Sequence, residues 1–232
     1  MRPAYSEPLF NQLPPIVWLL TAPIILSEIA FALAGMGFLG GGGGALRVDA
    51  INASAYLPEI VLLMWNTGGI EPSVLLRLLT YPFIHGSFTH ALFVTVFTLA
   101  LGKLVAEQFR PVAFLVLFFG AAVLSGVLYT IVMGAVGIRA TPLVGGYPPV
   151  YALVGAFTFI LWVRLGQEQA NRMRAFVLIG MLLLFQLVFG LLSDWRGTDW
   201  VADLIGFIIG FGLSFVLIPG GFQRAVRAIR HR

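Results

Sequence analysis

Pro111-Val-Ala-Phe-Leu-Val-Leu-Phe-Phe-Gly-Ala-Ala-Val-Leu-Ser-Gly-Val-Leu-Tyr-Thr-Ile-Val-Met-Gly134 runs without one charged side chain. At about 1.5 Å of rise per residue, such a helix is long enough to cross a hydrocarbon core about 30 Å thick. The stretch does not alternate apolar and polar residues as a barrel strand would, so a helix is the reading. Working outward from it, five further stretches have the same character: Pro15 to Leu39, Pro82 to Gly102, Pro148 to Val163, Ala175 to Ser193 and Val201 to Pro219. The predicted fold is all-α, a polytopic membrane protein with a six-transmembrane-helix bundle.

Composition agrees with that reading. Of 232 residues, 59% are hydrophobic and only 10% charged, and the mean hydropathy is +0.95. Soluble domains carry roughly 25% charged residues, and disordered chains need low hydrophobicity, so both classes are excluded. There is no cysteine, which removes disulfides, zinc–thiolate sites and cysteine nucleophiles.

The sequence pI of about 9.9 rests on 14 basic against 10 acidic side chains. Their placement points to membrane orientation rather than to nucleic acid. Lys103 and Arg110 flank one short loop, Arg164, Arg172 and Arg174 lie in another, and Arg224, Arg227, Arg230 and Arg232 crowd the tail. The opposite loops hold Arg47, Arg77, Arg139 and Arg196, together with Asp49, Glu59, Glu71, Asp194 and Asp199. The positive-inside bias therefore predicts both termini in the cytoplasm. The expected organisation is a cytoplasmic segment 1–14, a membrane domain 15–219 and a basic cytoplasmic tail 220–232. The arginines of that tail recur three apart, as in an amphipathic turn resting on anionic headgroups. Ala32-Leu33-Ala34 imitates a signal-peptide cleavage site, but the apolar run before it is long and holds Glu28, so a retained first span is expected.

The extracytoplasmic first loop, residues 40–72, opens with Gly40 to Gly44, a joint without helical preference. Ala55 to Trp65 is then apolar but too short to span, which suits a segment lying in or re-entering the outer interface.

Ionisable groups inside spans are costly and point to function. On this topology His85 and His90 at the start of span two, Tyr147 before span four and Asp203 one turn into span six share one outer depth. Three readings compete. The first is a structural knot with Asp203 paired to a histidine or to Tyr147, which would raise the pKa of a histidine so paired. The second is a metal site, although histidines five apart lie about 140° apart around a helix and do not share a face. The third is catalysis. Glu28 and Gln186, in mid-span, read as helix-packing hydrogen bonds.

The residues also carry a resemblance. Arg77-Leu78-Leu79-Thr80 and Phe83-Ile84-His85-Gly86-Ser87-Phe88-Thr89-His90 resemble the first-loop and second-span signature of the rhomboid intramembrane serine proteases. Gly102 and Leu124-Ser125-Gly126 fit the same pattern. Gly145-Gly146-Tyr147-Pro148 through Gly155 stands in place of the family's fourth-span Gly-x-Ser-Gly segment. Ala202-Asp203-Leu204-Ile205-Gly206, with Gly210, stands in place of its sixth-span Ala-His-x-Gly-Gly motif. The likeness runs from about Arg77 to Gly212.

What the resemblance implies is a catalytic serine at Tyr147, its histidine base at Asp203, and oxyanion donors at His90 and Val94. Only His90 is retained. A phenol with a pKa of about 10 is a poor nucleophile near neutrality, and Pro148 and Pro149 have no N–H to donate. Ser125 falls in span three, and the one histidine after it is His231, in the cytoplasmic tail. Ser125-Gly126 therefore reads as helix packing, as do Gly206, Gly210 and Gly212. Arg77 matches the arginine of a first-loop Trp-Arg element, with Leu76 replacing the tryptophan.

The expectation is a rhomboid-like pseudoprotease without expected catalytic residues, metal or cofactor. His85, His90, Tyr147 and Asp203 would form a vestigial cluster in a bacterial plasma (inner) membrane. Its partners would be the lipid bilayer and transmembrane helices of client membrane proteins, with the oligomeric state open. The alternatives are an active rhomboid-type protease with non-standard groups and a small transporter or metal-binding membrane protein.

Overall fold

The computed structural model describes residues 13–38, 43–69, 71–193 and 197–221. The basic tail beyond Gly221, most of the segment 1–14 and loop residues Asp194 and Arg196 lie outside the described residues.

The described residues are helical throughout their regular structure. The helices are α1 (Pro15–Gly35), α2 (Gly43–Ser54), α3 (Pro58–Thr67), α4 (Pro72–Thr80), α5 (Phe88–Ala106), α6 (Pro111–Val136), α7 (Tyr147–Gln167), α8 (Val177–Ser193) and α9 (Trp200–Leu217). Five of them, α1, α5, α6, α7 and α9, are long and apolar enough to cross a membrane. The remaining expected span begins as a 3₁₀ turn, Arg172–Phe176, and continues as the 17-residue α8. The turn arises because the Asn171 side chain takes the Met173 N–H at 2.9 Å.

Several helices start on proline in the first turn, where the missing N–H would have no partner in any case. Span two is the instructive exception. It was expected from Pro82, but Tyr81–Phe83 forms a separate 3₁₀ turn and α5 begins only at Phe88. Ser87 caps it, its hydroxyl accepting from the His90 N–H at 3.2 Å. The glycine run also departs from expectation, because Gly43 and Gly44 already belong to α2.

The first loop docks on α6. Tyr56 and Leu143 exchange backbone hydrogen bonds of 3.0 and 2.9 Å. The Tyr56 hydroxyl meets Thr130 Oγ1 at 2.7 Å, and Arg77 donates to the Ala55 carbonyl at 3.0 Å. Gly126 makes room for this docking, since a Cβ there would stand 2.8 Å from Leu78 Cδ2. The apolar side chains Ile60, Leu63 and Trp65 of α3 face outward.

At the centre, α7 and α9 pack backbone to backbone. A Cβ on Gly206 would strike the Pro148 carbonyl oxygen, one on Gly210 the Ala152 oxygen, and one on Gly155 the Phe207 oxygen. Gly212, expected on the same face, has open space around it. Two residues on from Gly210 lies about 200° round the helix, so Gly212 turns away. Gly206→Ala is accordingly expected to destabilise the bundle by about 1–3 kcal/mol, the usual cost of overpacking, and Gly212→Ala to leave it unchanged. Thermal unfolding of the two variants in the same detergent checks this.

Candidate functional site

The polar groups at this end of the bundle fall into two clusters. The first holds His85, His90 and Tyr147. Because α5 starts at Phe88, His85 sits in the turn before the helix and escapes the helical wheel. The two imidazoles therefore meet edge to face, 4.9 Å between centroids, which corrects the expectation that residues five apart must diverge. The Gly146 N–H donates to His85 Nε2 at 3.2 Å, so that nitrogen is unprotonated and the neutral ring carries its proton on Nδ1. Burial first, then the positive charges of His90 and Arg47, push the His85 pKa down to about 3, offset in part by the Phe83 backbone. An Asp203 pairing would have raised it.

Tyr147 lies flat on His90, with ring centroids 4.5 Å apart and planes 22° apart. Gly145, at φ +91°, passes so near the histidines that a Cβ would stand 2.7 Å from His90 Nε2 and 2.9 Å from His85 Cδ2. Both the backbone angle and the space demand glycine. Gly146 likewise abuts Val94 Cγ1, at 2.8 Å from its own would-be Cβ. Val94 itself is fully buried and packs with Ile24, Ala91 and Val150, so an apolar wall stands at that position.

The second cluster corrects the expected partner of Asp203. Its Oδ2 accepts from Gln186 Nε2 of α8 at 2.7 Å, and Gln186 Oε1 accepts from the Tyr151 hydroxyl at 3.0 Å. The Gln186 amide offers Asp203 a donor and Tyr151 an acceptor together, so one side chain of α8 serves both groups. Tyr151, one helical turn beyond Tyr147, was missed in the sequence. The i, i+4 spacing of two tyrosines on one helix face was the available signal. The two clusters touch where the Tyr147 and Tyr151 rings meet edge to face at 6.5 Å.

The remaining candidates lie elsewhere. Ser125 is fully buried, and its Oγ has no hydrogen-bond partner among the described residues. Glu28 forms a two-pronged ion pair with Arg47, each N–O distance being 2.8 Å, and Arg47 also donates to the His85 carbonyl at 2.9 Å. Among the described residues, no group of three or more His, Asp or Glu side chains is placed to hold a metal ion.

Residues 72–220 match the family profile described as "Rhomboid domain", an interval that contains the whole stretch from Arg77 to Gly212. No curated protein matches the chain.

Two outcomes follow from the geometry. Between pH 6.5 and about 3 the unfolded chain binds a proton at residue 85 that the folded protein refuses. Stability should hold above that window and fall as pH drops through it. The fall should be shallower in His85→Gln, as pH-dependent melting of both proteins will show. Gln186→Leu leaves the Asp203 carboxyl and the Tyr151 hydroxyl without their shared partner, and should cost about 1–3 kcal/mol in the same assay at neutral pH.

Proposed function

Since this chain belongs to the rhomboid family, we propose that it is a non-hydrolysing member that binds transmembrane segments of other membrane proteins. In this reading the bundle has six spans, with α8 as the fifth, and both termini in the cytoplasm of a bacterial-type inner membrane. The membrane domain covers 15–219, with the first loop outside and the basic tail inside.

One observation carries the proposal. The two positions that must pass a proton between them in a rhomboid protease are each engaged elsewhere: Tyr147 stacks on His90, and Asp203 accepts from Gln186. The supporting chemistry is of one kind. Pro148 and Pro149 bring no N–H to the start of α7, and Val94 presents methyl groups to Gly146 where an amide would serve an oxyanion. Loss of one oxyanion donor typically costs about 10² to 10³ in rate, and loss of nucleophile and base costs more.

Binding needs none of these groups. The α7–α9 contact is held by glycine against backbone and uses neither the side chain at 147 nor that at 203. A lateral opening between spans would then serve as the docking groove for a client helix, for quality control, trafficking or assembly.

Reconstitution in liposomes with a panel of single-span substrates, beside an active rhomboid as control, tests this. No cleavage is expected, while crosslinking still captures substrate. Cleavage that disappears in Asp203→Asn or Ser125→Ala would make the protein an enzyme with a non-standard set of groups.

A further inference from the structure

The α7–α9 pair is fixed by glycine against backbone, a contact that does not draw on α8. Toward α8 the pair presents two polar groups, the Tyr151 hydroxyl and the Asp203 carboxyl, each on a residue only 4% exposed. Asp203 Oδ2 takes a hydrogen and the Tyr151 hydroxyl gives one. A neighbour that lacks either function leaves a buried polar group unpaired, which costs more than the hydrogen bond itself contributes.

In this structure one side chain meets both needs. Gln186 Nε2 donates to Asp203 at 2.7 Å and its Oε1 accepts from Tyr151 at 3.0 Å. The helix that carries it, Val177–Ser193, is apolar apart from Gln186 and the terminal Ser193. Its root is anchored, because Asn171 caps the 3₁₀ turn and Phe176 meets the rings of Phe207 and Phe211 at 6.5 and 5.8 Å between centroids. Farther along, Met181, Leu184, Phe185 and Val188 turn outward, and Gln186 is itself partly exposed, so the amide stands at the margin of the bundle. An apolar helix thus docks through one amide on a pair of helices that is already rigid.

From this arrangement we infer that Tyr151 and Asp203 form a receptor for one carboxamide on a transmembrane helix, filled by Gln186 here and by a glutamine or asparagine of a client helix when one is bound. The inference rests on the client-binding reading and names the client's chemistry. Exchange of one amide for another keeps both hydrogen bonds, whereas an apolar helix in that place forfeits both. Lysine supplies donors and no acceptor, and an ionised glutamate supplies acceptors and no donor. The residue that stands in place of a protease base becomes a recognition group.

The test uses the full chain in liposomes and two single-span peptides, identical except for Gln or Leu at the depth of Asp203, each with a photo-crosslinker one turn away. The Gln peptide should be captured about tenfold better, the scale of hydrogen bonding between helices in a membrane. Gln186→Leu vacates the receptor, so it should raise capture of the Gln peptide and leave the Leu peptide unchanged. Asp203→Leu should erase the preference, and Tyr151→Phe, which keeps the ring, should reduce it. Equal capture of both peptides by the unmodified protein would overturn the receptor and leave client binding standing, whereas capture of neither would overturn both. An equal rise for both peptides in Gln186→Leu would make Gln186 a packing residue and also overturn the receptor.

Discussion

Gly206 and Gly210 bring α9 so close to α7 that any side chain at either would strike the carbonyl oxygen of Pro148 or Ala152, and Gly155 returns the contact against Phe207. Between membrane helices lipid tails are as apolar as leucine, so burial alone does not drive association, and close packing must do so. This contact sets the height of α9 against α7. Asp203 lies one turn before Gly206, and so comes level with the first turns of α7, where Tyr147 and Tyr151 project. The site is therefore a consequence of the packing: the glycines decide which polar groups can meet, and the polar groups then find partners within that frame.

Within the frame, several buried polar groups answer the same demand, because a polar atom without a partner is expensive where no water can reach it. The Gln186 amide answers for two groups at once, giving a hydrogen to Asp203 and taking one from Tyr151. Arg47 likewise answers for Glu28 and for the His85 carbonyl. Burial first holds His85 neutral, and its Nε2 accepts from the Gly146 N–H at the start of α7. A line of direct contacts thus runs from α1 through Glu28, Arg47, His85 and Gly146 to Tyr147.

Five helices long and apolar enough to cross a membrane were legible in the sequence, because hydropathy over about 20 residues is a property of composition and needs no partner. Their ends were less so. Pro82 looked like a first-turn proline, yet the 3₁₀ turn and the Ser87 cap move the start of α5 to Phe88, and that shift brings the histidines together. Ser87 was a readable cap signal that the longer apolar run outweighed. The residence of His85, His90, Tyr147 and Asp203 at one end of the bundle was legible from topology. Their pairing was not, since it depends on how α8 is rotated about its axis, and nothing local in the α8 sequence sets that rotation. The same holds for Arg47 and Glu28, which meet across a loop whose path the sequence leaves open. Gly212 was expected on the glycine face with Gly206 and Gly210, although two residues on from Gly210 the helix has turned about 200° away.

The altered positions also explain why the scaffold can survive them. Gly145 and Gly146 would be expected near an oxyanion site, but here their small size is required by direct contact with His85, His90 and Val94. Pro148 and Pro149 occupy a helix start that tolerates them, and the Pro148 carbonyl serves as the surface on which Gly206 rests. Each residue thus has a packing reason that does not refer to chemistry at positions 147 and 203. A bundle built this way can exchange a serine for a tyrosine or a histidine for an aspartate, provided a neighbour such as His90 or Gln186 takes up the new side chain. Fold and chemistry are separable here because the glycine-to-backbone contacts carry the first without using any group that the second would need.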